Sequence, residues 1–223
     1  MIILSSMKLT DFHTHTLLSD GALTPAELIR RLIVGGLNAV AITDHVDSSN
    51  IDHVLNSLDK IRYDFEEYIT FLPGVEITYA LPRQIPELAR KAKQRNFLVI
   101  VHGETVVESV YEGTNRTALK CPDVDILAHP GIITFKDAQL AKDNEVFLEI
   151  TTRGGHSLGN GLVADLAMKA GAKLILNSDA HQPRDFINEN LREKTALGSG
   201  IPRSMFEEIF VKNSQEIIKR IFK

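Results

Sequence analysis

Six of the eight histidines in the chain fall at or just after the ends of short apolar runs, and acidic residues accompany them there. The clusters are Asp11-Phe12-His13-Thr14-His15 with Ser19-Asp20-Gly21, then Thr43-Asp44-His45, Gly74-Val75-Glu76, Val101-His102-Gly103, Ala128-His129-Pro130-Gly131 and Ser178-Asp179-Ala180-His181. Imidazoles and carboxylates gathered together are the ligands of divalent metals. His13-x-His15 and Asp179-x-His181 each put two side chains on one side of an extended segment, because strand side chains alternate with period two. That is chelating geometry. Either pair alone is a weak signal, since such spacing arises by chance. Repeated at the ends of one apolar run after another, the pattern makes scattered core histidines a poor account.

Residues this far apart in sequence meet only if the fold gathers the ends of the runs. The runs are Ala39–Thr43, Phe97–Val101, Asp125–Ala128, Val146–Ile150 and Leu174–Leu176, with weaker ones at about 8–12 and 71–77. Near-continuous apolar character over four to six residues marks strands buried on both faces, as in a parallel sheet. Helical signals lie between them. Thr24-Pro25-Ala26-Glu27 reads as an N-cap, a proline at the first helical position and a capping-box glutamate. Leu28 with Leu32 and Ile29 with Ile33 follow, and Gly35-Gly36 ends the stretch. Ile85, Leu88, Ala89 and Ala92 form an amphipathic stripe, and so do Leu162, Val163, Leu166, Ala167 and Ala170, closed by Gly171. Asn213 reads as the cap of a C-terminal stretch carrying Ile217, Ile218 and Ile221. About seven strand–helix units fit the chain. The chemistry falls at every clear strand end rather than at one switch point, which favours a closed or nearly closed (β/α) barrel over an open sheet.

Composition sets the outer bounds. The 223 residues, 43% hydrophobic and 24% charged, suit one sizeable α/β domain over 1–223, with no linker or repeat to divide it. A formal charge of −4 argues against a general nucleic-acid binder. The single cysteine, Cys121, excludes an intramolecular disulfide and a Cys-rich zinc site, and fits a cytoplasmic location. Met1–Met7 is apolar for only four residues and lacks a basic leader, so it is not read as a signal peptide; Met7 is a second candidate start. No apolar run approaches the ~20 residues that span a membrane.

The set of motifs, in this order from about residue 8 to 183, resembles the PHP family, the polymerase and histidinol phosphatase domains. The resemblance implies a distorted (β/α)7 TIM-like barrel, followed here by a helical segment at about 203–223. It also implies two or three divalent ions held by nine ligands: His13, His15, Asp20, His45, Glu76, His102, His129, Asp179 and His181. In the implied grouping His13, His15, Glu76 and Asp179 hold one ion. Glu76 bridges to a second ion on His102 and His129, and Asp20, His45 and His181 hold the third. Position 20 is histidine in some relatives, and either residue ligates. Nitrogen and oxygen donors without thiolate suit zinc, manganese or iron. Such a centre would activate water and neutralise phosphoryl charge, so no serine or cysteine nucleophile is required. Glu76, Asp179 and His181 are the residues expected to matter most for turnover.

Outside the ligand set, Arg153 and Arg184 follow strand ends and are candidate clamps for substrate phosphate; a surface ion pair is the plainer reading of each. Asp44 either orients a ligand or caps the next helix. His156 is a candidate proton donor, Gly113–Arg116 either touches substrate or caps a helix, and His53 reads as a surface residue. The function expected is a metal-dependent phosphoesterase acting on a small phosphorylated substrate, histidinol-phosphatase-like, by a metal-activated hydroxide. The alternatives are a nuclease or nucleotide phosphatase of the same family, and a non-catalytic metal-binding domain. A membrane partner is not expected, nucleic acid is disfavoured, and the oligomeric state cannot be read from the sequence.

Overall fold

The computed structural model describes residues 9–222, so the readings made for Met1–Met7 lie outside it. The strands are β1 (Leu9–Asp11), β2 (Leu37–Ile42), β3 (His45–Val46), β4 (Thr70–Ile77), β5 (Leu98–His102), β6 (Ile126–Ala128), β7 (Phe147–Thr151) and β8 (Leu174–Asn177). All pair in parallel, in the order β1-β2-β4-β5-β6-β7-β8. β2 and β3 are two pieces of one line, interrupted at Thr43-Asp44. β2 pairs with the first half of β4, from Ala39↔Thr70 to Ile42↔Pro73, and β3 with the second, at His45↔Glu76 and Val46↔Ile77. The sheet therefore has seven positions. Its edges meet through a parallel bridge, Thr14↔Ala180. There the His15 N–H donates to Ala180 O at 2.8 Å, and the Phe12 N–H to Asn177 Oδ1 at 2.9 Å. The result is a nearly closed (β/α)7 barrel.

The helices are α1 (Pro25–Val34), α2 (Ile51–Asp59), α3 (Ile85–Lys93), α4 (Thr114–Lys120), α5 (Phe135–Asp143), α6 (Asn160–Ala170), α7 (Glu189–Gly198) and α8 (Asn213–Ile221). Period two sorts each strand between two cores. Val40, Ile42, Val75, Ile77, Val99, Val101, Leu148 and Ile150 face the outer core, packed with the helices. Ala39, Ala41, Leu72, Leu98, Ile100, Ile126, Phe147 and Ile175 fill the barrel with Phe12. Ile217 and Ile221 of α8 belong to that inner cluster, so α8 stops the barrel at the end opposite the strand C-termini. Thr10 Oγ1 meets Ser214 Oγ at 3.0 Å at the same end. Burial of each large inner side chain, such as Phe12 or Phe147, contributes roughly 1.5–3 kcal/mol.

Two local expectations need correction. Asn213 is not a cap: a π turn, Glu208–Lys212, runs directly into α8, and Asn213 Nδ2 donates to Leu174 O at 2.8 Å. In α6 the buried stripe is Asn160, Val163, Ala164, Ala167 and Ala170, which leaves Leu162 exposed. The small alanines let this helix lie close on the sheet, with Leu166 packed at the edge of the outer core and Leu162 turned outward. Among the described residues no helix is long and apolar enough to cross a membrane.

Candidate metal centre

The inward alternation that fills the barrel with apolar side chains turns polar at the strand tops. β4 reads Leu72, Gly74, Glu76 on its inner face; β5 reads Leu98, Ile100, His102; β7 reads Phe147, Glu149, Thr151; β8 reads Ile175, Asn177. β1 continues as the extended segment Phe12–Thr16, pinned by Thr14 Oγ1 donating to Ala41 O at 2.6 Å and by Thr43 N–H donating to Thr14 O at 2.8 Å. His129 (φ 26°) and Asp179 (φ 55°) sit in the left-handed region, where a non-glycine residue costs on the order of 1–3 kcal/mol. The fold accepts that cost in aiming both side chains back over the barrel mouth. At Gly21 a Cβ would stand 2.3 Å from His15 O, so only glycine lets the loop carrying Asp20 fold back against β1. Asp44 braces this loop, accepting from Thr16 N, Thr16 Oγ1 and Ser19 Oγ, each at 2.7 Å. Asp44 thus orients the segment bearing Asp20, while Asn50 occupies the N-cap position of α2.

The structure brings the nine residues named from sequence into one cluster. Glu76 is at its centre. Its Oε1 lies 3.1 Å from His102 Nδ1, 3.3 Å from His13 Nε2 and 3.5 Å from His129 Nε2. Its Oε2 lies 2.7 Å from His45 Nδ1 and 3.6 Å from His15 Nε2. Asp179 is the second hub, with Oδ1 3.2 Å from His15 Nε2 and 3.4 Å from His181 Nδ1, and Oδ2 3.6 Å from His129 Nε2. Asp20, on the exposed rim, reaches His181 Nε2 at 3.2 Å and His45 Nε2 at 3.5 Å.

Burial and charge oppose each other at both carboxylate hubs and at His102. Against burial, the imidazoles of His13, His45 and His102 hold Glu76 well below the usual carboxylate range. Asp179 is held down likewise, against its burial, by His13, His15 and other neighbours. His102, against its own burial, is raised to about 10 by Glu76 and Glu108. His15 is pushed down to about 3, by burial first and by His45 second. Burial pushes Asp11, beneath the cluster, up to about 7. His13 Nε2, both ring nitrogens of His15 and of His129, and Asp179 Oδ1 are buried without a hydrogen-bond partner. Leaving one such atom unsatisfied costs roughly 1–3 kcal/mol. Several at one point, all lone-pair donors, are satisfied together by bound cations, so the residues fit divalent metal.

Three further residues join the centre. His156, in the turn after β7, lies with Nδ1 3.0 Å from Asp179 Oδ2 and Nε2 3.0 Å from Glu108 Oε1. Glu108, from the β5–α4 loop, also reaches His102 Nε2 at 3.1 Å and accepts from Tyr79 OH at 2.9 Å. Glu149 lies beneath, 2.9 Å from His13 Nδ1. Seven of the eight histidines are therefore here, and His53 is exposed on α2. Arg153 faces the cluster, with Nη1 3.1 Å from Asp179 O and 2.9 Å from His181 Nδ1. Arg184 does not join it; its side chain is 80% exposed and its ion pair is with Asp185 at 3.8 Å. Asn115 ties loops together, accepting from Glu104 N and donating to Pro130 O. A cavity of about 320 Å³ opens beside the centre, lined by Asp20, His45, Thr78, Tyr79, His102, Glu108 and His156 among others.

The PHP domain family matches residues 11–129. An uncharacterized protein of Methanocaldococcus jannaschii is 44% identical over 215 residues, covering 95% of this chain and 99% of its own. A probable phosphatase of Thermoanaerobacter sp. (strain X514) is 27% identical, with 96% of each chain covered. Ribonuclease P protein component 3 of Methanosarcina barkeri is 29% identical over 78% of this chain and 73% of its own. Among solved structures, histidinol phosphate phosphatase of Lactococcus lactis, with zinc, L-histidinol and phosphate, superposes with a TM-score of 0.62 at 18% identity, covering 88% of this chain and 95% of that one. A chain of an archaeal ribonuclease P with mature tRNA gives 0.68 at 18% identity, covering 95% and 91%.

Proposed function

We propose, for a chain that belongs to the PHP domain family, that it is a metal-dependent phosphoesterase hydrolysing a small phosphate monoester, as histidinol phosphatases do. The observation that carries this reading is the cluster at the strand C-termini. There, buried imidazole and carboxylate atoms lack partners beside a cavity of metabolite size. The donor set fits two or three divalent ions of zinc, manganese or iron. His13, His15, Glu76 and Asp179 would hold one, Glu76 with His102 and His129 a second, and Asp20, His45 and His181 the third. Such ions, when bound, lower the pKa of water and neutralise charge on phosphoryl oxygens.

The chain's own residues supply the rest. Glu76 and Asp179 gather the imidazoles and keep their charge because those imidazoles surround them. Arg153 spends Nη1 on Asp179 O, which holds the guanidinium plane at the rim of the cluster. Nη1 also meets His181 Nδ1 at 2.9 Å and Nε lies 3.4 Å from Asp179 Oδ2, so Nη2 is the corner placed to bind a phosphoryl oxygen. Arg184, exposed, would reach substrate only from outside the cavity. The buried Cys121 fits a cytoplasmic protein and takes no part in the chemistry. The test is phosphate release from a panel of phosphorylated metabolites by chelated and metal-reconstituted protein. Hydrolysis that returns with metal supports the reading; full activity without metal, or none on any monoester with the centre loaded, overturns it.

A second reading draws on the ribonuclease P relatives: action on, or assembly with, RNA. The acidic rim residues Asp20 and Glu108 and the net charge of −4 weigh against it. Salt-dependent RNA binding at physiological ionic strength would favour it over the metabolite reading. A non-catalytic metal-binding domain is the third possibility, and metal-dependent hydrolysis of p-nitrophenyl phosphate would exclude it.

A further inference from the structure

We propose that Glu149 is a positioning residue that fixes the tautomer of His13 and so makes His13 Nε2 a ligand atom; this rests on reading the cluster as a metal centre. Glu149 is fully buried on the inner face of β7, below the cluster and outside the nine-residue set. Among the described residues no lysine or arginine pairs with it; its ion pair is with His13. Oε1 accepts from Asn177 Nδ2 at 2.8 Å and lies 2.9 Å from His13 Nδ1. Oε2 accepts from the His129 N–H at 3.2 Å.

With Asn177 Nδ2 and the His129 N–H donating to its two oxygens, Glu149 is placed as an acceptor on both. Every neighbour within hydrogen-bond reach must therefore donate, and at His13 the donor is Nδ1–H. The lone pair of a neutral His13 then sits on Nε2. That atom points at Glu76 Oε1 (3.3 Å) and Asp179 Oδ1 (3.7 Å) with no hydrogen bond of its own. An imidazole whose distal nitrogen is held by a carboxylate is a stronger and better-aimed ligand. The same carboxylate grips the backbone of His129, which sits in the left-handed region, so one side chain steadies two ligand positions from beneath.

An amide presents one acceptor and one donor to three donors, so Glu149→Gln costs the metal-free protein stability whatever the role of the carboxylate. Only a tautomer-setting Glu149 also weakens the zinc affinity of the folded protein. In zinc-loaded protein carrying ¹⁵N-labelled histidine, His13 is expected to show a protonated Nδ1 and a metal-bound Nε2. In protein that still folds without metal, Glu149→Gln is expected to weaken zinc binding, read by chelator competition, by roughly 10–100-fold. Glu149→Asp should recover part of the loss. Wild-type His13 bound through Nδ1, or a Glu149→Gln protein that binds zinc within about 3-fold of wild type, overturns the proposal. Should Glu149→Gln not fold, the wild-type spectrum decides alone. Failure of the wild type to bind zinc, manganese or iron would overturn the metal-centre reading itself, whereas zinc bound with the other tautomer overturns this proposal only.

Discussion

Replacing Glu76 by glutamine is the sharpest perturbation of the centre, because it changes one atom and removes one charge. Glu76 is fully buried, and five imidazoles lie 2.7–3.6 Å from its two oxygens. Removing one partner of a buried ion pair costs about 3–5 kcal/mol when the other charge is stranded. Here His13, His45 and His102 owe their raised proton affinity in part to Glu76, and they can release protons instead. Loss of fold stability in the metal-free protein should therefore fall at or below the low end of that range. Function is hit harder. An amide is a weak bridge between cations, so phosphoester turnover is expected to fall at least ~100-fold, about 2.7 kcal/mol in the barrier. The assay is initial-rate phosphate release at saturating substrate, with metal content measured on the same sample. A rate that survives while metal content falls would mean that the metals are structural and that the reasoning from Glu76 to chemistry is wrong.

His181→Ala is expected to cost a similar factor, at least ~100-fold in turnover, through loss of the rim contact shared with Asp20 and Arg153; near-normal kinetics would remove His181 from the working set. Arg153→Ala should raise KM for phosphomonoesters about 10-fold or more and lower kcat, with metal content unchanged, as loss of a charge-assisted fork implies. Arg184→Ala is the control and should stay within about 2-fold, as exposed ion pairs do; equal effects of the two variants would refute the placement. In chelated protein, the folded-state pKa of His102 is raised from 6.5 to about 10. Its stabilising contribution is thus fully present below about pH 6.5 and is lost as pH rises through about 10. Urea midpoints should show the advantage of wild type over His102→Asn shrinking across that window, and a constant difference would contradict the pairing with Glu76 and Glu108.

The histidines of the nine-residue cluster, Asp179 and Glu76 were legible because each lies at or just past the end of an apolar run, and a parallel barrel delivers run ends to one face; Asp20, in the loop after β1, entered the set through the family resemblance alone. Glu149 carried a signal that runs of apolar residues hide. It shares the parity of Phe147, so once Phe147 points into the barrel the acid must too. Glu108 carried none; it sits in an aperiodic loop, Thr105–Val110, and only the path of the chain brings it to His102 and His156. His156 follows two glycines and a turn, which conceals its return to Asp179. Helices α5 and α7 were missed because their buried stripes are thin, Ala138 with Ala141 and Arg192 with Ala196. The Thr134–Asp137 capping box was the one local cue for α5. The Asn213 cap failed because a polar residue before an apolar stripe looks alike whether it starts a helix or bonds across to a strand.

The barrel's seam gives the centre a mechanical meaning. β1 and β8 do not pair along their length; just beyond them one parallel bridge joins Thr14 to Ala180, where the other neighbouring strands pair over two to four positions. His13 and His15 lie on one lip of that seam, Asp179 and His181 on the other. Cations shared between the lips would act as a clasp joining the first strand of the barrel to the last. Stripping metal should then unfasten the wall locally before it unfolds the molecule. Amide exchange would quicken at 13–15 and 178–181 while the β4–β5 wall stays protected. Loading metal would correspondingly finish the closure of the cylinder, so that the reactive pocket and the last stitch of the fold form in the same event.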